Sequence, residues 1–191
     1  MPKKPEAAPA PPLRVTRWFN SADPISLAAL RGRVVLLHAF QMLCPACVSH
    51  GLPQAVKARE LFRETDLAII GLHTVFEHHA VMDAAALQVF IAEYRLTFPI
   101  GIDEPSDTGS IPLTMQAYRL QGTPSLVLID RAGQVRASHF GIVDDMALGG
   151  MIGRLIGEER AGAPAEARSA PDADARGGLA CEDDGCRAPG D

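Results

Sequence analysis

The sequence predicts an α/β protein: a three-layer α/β/α fold around a central mixed sheet. Three observations carry this. Apolar, β-branched runs occur at 34–40, 67–72 and 125–130. Stretches with helical patterning separate or follow them. A Gly-containing turn at 131–133 joins the third run to a further strand.

The elements follow in chain order. Residues 1–12 are rich in Pro and Ala and are expected to form a disordered arm. The folded domain is expected over 13–157. Arg31-Gly32-Arg33 reads as a turn, and Val34 to Phe40 as a strand buried on both faces. Pro45 fits a first helical turn, and Ala46 to Phe62 a helix that Pro53 should kink. Leu67 to Leu72 is a second buried strand. Asp83 is a plausible N-cap for a helix to Tyr94. Phe98 to Ile102 is a short strand, 103–113 a loop, and Thr114 to Leu120 a short helix. Ser125 to Asp130 and Gln134 to Phe140 should form a β-hairpin, followed by a helix from Val143 to Ile156. A parallel βαβ half is thus joined to an antiparallel ββα half. Residues 158–191 read as a flexible tail.

Composition narrows the function. The chain has 191 residues, 47% apolar, and a net charge of −5 without a basic stripe. That leaves nucleic-acid binding without support. No apolar run approaches the ~20 residues of a membrane-spanning helix. Lys3 and Lys4 have no apolar stretch behind them, so no signal peptide is expected and a cytoplasmic location is. The four cysteines fall in two close pairs, Cys44/Cys47 and Cys181/Cys186. In a reducing compartment such pairs point to catalysis or metal binding.

Cys44 falls where a buried strand meets a helix. The first helical N–H groups are unpaired there and the helix dipole is positive, which favours a thiolate. The thiolate is the nucleophile of disulfide exchange. Cys47 lies about one turn later and less exposed, so it can attack a mixed disulfide and release the product. The plainer alternatives are two unrelated buried thiols or half a zinc site. Thr123-Pro124 stands directly before a strong strand, where an ordinary ladder disfavours proline, and a cis-proline would account for it.

Cys44-Pro45-Ala46-Cys47 together with Thr123-Pro124 resembles the thioredoxin-like superfamily, in its TlpA-type and redoxin branch. The resemblance implies a thiol–disulfide oxidoreductase, with a protein or small-molecule disulfide as substrate and a thiol as electron donor. It implies that Thr123 and Pro124 lend backbone groups to the substrate. No organic cofactor is implied, because no Gly-rich nucleotide loop occurs in the right context. His38 stands where thioredoxins carry a buried aspartate, and His50 where many TlpA-type proteins carry glutamate. Both are candidates for moving the proton of Cys47. Their plainer readings are a hydrogen-bonded core histidine and a surface polar residue. Leu43 replaces the usual tryptophan. Pro53 comes six residues after Cys47 rather than five, so a local change in the helix is expected.

Two rival readings remain. A peroxiredoxin-like thiol peroxidase would need a hydroxyl three residues before Cys44, where Gln41 stands. A copper- or zinc-binding module would draw on Cys44, Cys47 and the loop with His73, Glu77, His78 and His79. Of these the disulfide reading is preferred, with no metal assigned. In the tail, Cys181 and Cys186 form a C-x4-C pair about 23 residues beyond the last helix, a linker that spans roughly 25 Å. That pair is a candidate relay between Cys44 and an outside partner.

Overall fold

The computed structural model describes residues 8–158. Its sheet has seven strands: β1 (Ala8–Pro9), β2 (Val15–Phe19), β3 (Val34–Phe40), β4 (Leu67–His73), β5 (Ile100–Asp103), β6 (Ser125–Ile129) and β7 (Gln134–Phe140). They lie in the order β1-β7-β6-β3-β4-β5-β2. β3, β4 and β5 are parallel, while β6 and β7 run antiparallel. The sheet is mixed, as the sequence predicts.

The helices are α1 (Leu52–Leu61), α2 (Ala84–Glu93), α3 (Leu113–Ala117) and α4 (Asp145–Glu158). The crossovers from β3 to β4 and from β4 to β5 step across the sheet in one direction. Right-handed connection then places α1 and α2 on the same face. There Leu52, Ala55, Leu87 and Ile91 meet Leu148 and Ile152 of α4 over Leu36, Phe40 and Leu128. The opposite face carries Val35, Leu37, Ile70 and Leu72, covered by Leu27, Leu30, Tyr118 and Leu120. β3 is buried at every position because it has strands on both sides and layers on both faces.

Local chemistry explains the boundaries. The Asp83 carboxylate accepts the Ala86 N–H at 2.8 Å and starts α2. In the β6–β7 turn the Gly133 N–H reaches Asp130 O at 2.8 Å, with Gly133 at φ +72. No helix among the described residues is long and apolar enough to cross a membrane.

The arm expected over 1–12 is corrected from Ala8 onward. Ala8 and Pro9 pair with Val135 and Gln134. The Ala10 N–H donates to Gly133 O at 2.9 Å and the Tyr118 hydroxyl to Pro11 O at 2.7 Å. A free sheet edge organises a chain whose own propensity is weak. The sequence reading also missed β2, a short edge strand pairing with β5.

The helix expected over 46–62 is not simply kinked at Pro53. Residues 47–51 form a π-turn, with the Leu52 N–H bonded to Cys47 O. Pro53 then lies in the first turn of α1, where its missing N–H is harmless. A π-turn holds one extra residue. This accounts for the six-residue spacing from Cys47 to Pro53.

Asp103, at the end of β5, is buried. Its carboxylate accepts the N–H groups of Thr114 and Met115 at 2.8 and 3.0 Å and the Thr74 hydroxyl at 2.9 Å. It caps α3 from another element, since Pro112 offers no capping side chain. Burial nevertheless pushes the Asp103 carboxyl above its ordinary range, against those hydrogen bonds. Asp103→Ala is expected to cost about 3 kcal/mol by orphaning three donors. A urea midpoint equivalent to less than about 1 kcal/mol of loss would contradict this.

Candidate active site

β3 ends at Phe40, and the chain turns through Gln41 to Leu43 into a helix that starts at Pro45. The Cys44 N–H donates to Gln41 O at 3.2 Å, and the Val48 N–H to Cys44 O at 3.1 Å. These bonds fix Cys44 at the helix entrance, half-buried. The Cys47 N–H points at Cys44 Sγ, 3.2 Å away. This is the donor that a thiolate at Cys44 needs.

Cys47 is fully buried, at 0% exposure. Burial pushes its thiol up to about 12, and the hydrogen bond with Cys44 acts the same way, against opposing contributions from the Gln41 backbone and the Thr123 side chain. Cys47 therefore stays protonated until something takes its proton. Both cysteines are free thiols.

The Thr123–Pro124 bond is cis. Cys44 Sγ donates to Thr123 O at 3.5 Å, which brings this loop against the cysteine. The loop is pinned by the Gly141 N–H on Pro124 O at 2.8 Å and by the Ser125 hydroxyl on Gly122 O at 2.7 Å. Cys44, Cys47, Thr123 and Pro124 thus come together from elements far apart in the chain.

His38 shares a face of β3 with Leu36 and Phe40, beneath the helical layer that carries Cys47. It is 3% exposed, and its Nε2 has no hydrogen-bond partner among the described residues. Burial pushes the imidazole down to about 4. The expectation of a hydrogen-bonded core histidine thus fails at Nε2. His50 is exposed, and its Nδ1 meets Ser49 Oγ at 2.7 Å. Since Ser49 Oγ already donates to Pro45 O at 2.8 Å, the proton of that contact belongs to His50 Nδ1.

The proposed metal loop is not assembled as its residues suggested. His73 is buried beside Phe40, their ring centroids 5.4 Å apart, whereas His78 and His79 lie exposed beyond it. Glu77 is engaged by Gln41. No group of three or more His, Cys, Asp or Glu among the described residues is placed to hold a metal ion. Cys181 and Cys186 lie outside the described residues.

Sequence reasoning missed the bridging role of Gln41 and the packing role of Gly51. Buried Gln41 donates through Nε2 to Glu77 Oε1 and accepts the Phe76 N–H, both at 3.3 Å. It ties the loop after β4 to the loop that carries Cys44, and leaves no hydroxyl at the position a peroxidase requires. Gly51 packs against His38 and Pro124, with no room for a side chain. A polar residue directly after a buried strand was the available signal for the first; the second is visible only once the helix is laid on the sheet.

The Redoxin family model matches residues 5–147. Among solved structures, the chain is similar to a thioredoxin-like superfamily protein, SPOA0173, at 54% identity and TM-score 0.77, covering 78% of this chain and 96% of that one. It is similar to a thiol-disulfide isomerase from Corynebacterium glutamicum at 49% identity and TM-score 0.74, covering 77% and 96%. It is also 29% identical over 156 residues to Protein DipZ of Mycobacterium bovis, which takes in 80% of this chain. The chain spans about a fifth of the length of DipZ, 21%. With a family match over well more than half its length and a thioredoxin-like fold, the chain belongs to the Redoxin family.

Proposed function

We propose that this protein is a thiol–disulfide oxidoreductase acting as a protein disulfide reductase, with Cys44 as the attacking and Cys47 as the resolving thiol. The carrying observation is the convergence on Cys44 Sγ of the Cys47 N–H at 3.2 Å and the Thr123 carbonyl at 3.5 Å. The likeness to a solved thiol-disulfide isomerase at 49% identity supports the reaction class.

The Cys44 thiolate attacks one sulfur of a substrate disulfide. A Cys44–substrate bond forms, and the other sulfur leaves with the electron pair and takes a proton. Cys47 then gives up its proton and its sulfur attacks Cys44 Sγ. The Cys44–Cys47 bond forms and the second substrate sulfur is released. Two electrons pass from the dithiol to the substrate, and an external thiol donor restores the dithiol. Thr123 and Pro124 position the substrate backbone beside Cys44, and His38 accepts the proton of Cys47.

Insulin reduction driven by a thiol donor tests this. Cys44→Ser should fall to the uncatalysed rate, and undiminished turnover would refute the assignment. The reducing direction requires a Cys44/Cys47 potential below the cytosolic glutathione poise, about −220 to −260 mV by extraction. A clearly higher value would make the protein an oxidant or isomerase.

A further inference from the structure

Past the end of β3 the Thr74 N–H still reaches Phe40 O, at 3.1 Å. Beyond that bond the two chains part. One turns through Gln41 to Cys44, the other enters the loop around Phe76 and Glu77. Gln41 spans the gap with its side chain: Oε1 accepts the Phe76 N–H and Nε2 donates to Glu77 Oε1, both at 3.3 Å. These partners fix which way the amide faces, since a backbone N–H needs the oxygen and a carboxylate needs the nitrogen. Gln41 is 2% exposed, whereas Glu77 stands at the surface. Loss of either bond would leave part of a buried amide unsatisfied.

The backbone of the same residue serves both cysteines. Gln41 O accepts the Cys44 N–H at 3.2 Å, which sets the turn into the helix. The Gln41 backbone also pulls the Cys47 thiol down, against the larger effect of burial, as an N–H aimed at the sulfur does. Gln41 thus engages Cys44 and Cys47 through its main chain and the neighbouring loop through its side chain.

We propose that Gln41 is a positioning residue: by anchoring the turn from 41 to 44 on the Phe76–Glu77 loop, it holds both sulfurs on their N–H donors and so favours the dithiol over the disulfide. The proposal rests on the disulfide-exchange reading above and adds the residue that sets its balance. A donor N–H is worth most to a sulfur that bears negative charge. In the reduced protein Cys44 takes that charge, facing the Cys47 N–H at 3.2 Å. In the disulfide neither sulfur is charged, and the same donors contribute less. A looser turn therefore costs the reduced form more than the oxidised one. A tie that steadied both forms alike would leave the equilibrium unmoved.

The test is the equilibrium of the full-length protein with glutathione. Two glutathione thiols reduce the Cys44–Cys47 bond and leave as glutathione disulfide. After an acid quench and alkylation, peptide mass mapping reads the fraction with Cys44 joined to Cys47, apart from the other two cysteines. Gln41→Met keeps the length of the side chain and removes both bonds. It should move the equilibrium about tenfold toward the protein disulfide, about 30 mV for this two-electron couple. Glu77→Ala breaks one bond at the surface and should move it about threefold the same way. Glu77→Gln keeps an acceptor for Gln41 Nε2 and should return to within about twofold of wild type. A wild-type equilibrium in folded Gln41→Met would overturn the proposal; if that variant fails to fold, a wild-type equilibrium in Glu77→Ala would do so. A shift in Glu77→Gln as large as in Glu77→Ala would also overturn it, because the carboxylate's charge and not the bond would then set the balance. If the wild type forms no Cys44–Cys47 disulfide at any glutathione ratio, the exchange reading itself fails; if it forms one with the same equilibrium in every variant, only the role of Gln41 fails.

Discussion

Cys47→Ser should halt the protein as a stable mixed disulfide through Cys44. Cys44 is half-buried and reachable, whereas Cys47 has no exposed surface and lies on the core side of the helix. A substrate sulfur can therefore reach Cys44 but not Cys47. In the wild type the second thiol is held in place and attacks within the molecule. That advantage is entropic, and removing it should lengthen the life of the mixed disulfide about a hundredfold or more. Serine keeps the volume close to that of cysteine but offers no sulfur. Non-reducing electrophoresis after incubation with a disulfide-bonded protein should show an adduct that dithiothreitol removes. Cys44→Ser and the double variant should show none. An adduct that survives loss of Cys44, or none with Cys47→Ser, would remove the two-thiol scheme.

The second large effect is on stability in acid. Among the described residues, buried His38 has no partner at Nε2 and buried His73 none at either ring nitrogen, and burial pushes each down to about 4 from an ordinary 6.5. The sign follows from proton binding. Between about pH 6.5 and 4 the unfolded chain binds these protons and the folded chain does not, so stability rises with pH across that window. It is complete above the unfolded value and is lost as pH falls toward the folded one. Each group accounts for about 3 kcal/mol, the two together for on the order of 6 kcal/mol. Asp103 acts with the opposite sign. Its raised carboxyl favours the fold at low pH and gives that up as pH rises, so it offsets part of the acid loss. Urea midpoints should fall steeply from pH 7 to pH 4.5. His73→Leu should flatten the profile, since it removes a buried group that must otherwise remain neutral. Equal midpoints at the two pH values would contradict the burial argument.

The sequence by itself determined the sheet core, the class of fold and the place of the Cys44/Cys47 pair at a strand–helix junction. Those features are written locally. An apolar run long enough for a strand, a cysteine at a strand–helix junction and a proline before a strand each carry their meaning within a few residues. The hairpin at 131–133 and the Asp83 cap were legible for the same reason. Only tertiary structure decided the rest. Ala8–Pro9 becomes a strand because β7 leaves an edge to pair with. Asp103 becomes a cap because α3, ten residues on, starts above it. Cys44 and Cys47 were expected from their spacing, but the sulfur acquires its second neighbour, Thr123, from a segment 79 residues away. The odd proline spacing after Cys47 announced a change in the helix, and packing showed it to be a π-turn that seats Gly51 against His38. Local pattern specifies which residues are buried; what each buried group faces depends on contacts between distant segments, and no single stretch of sequence encodes them.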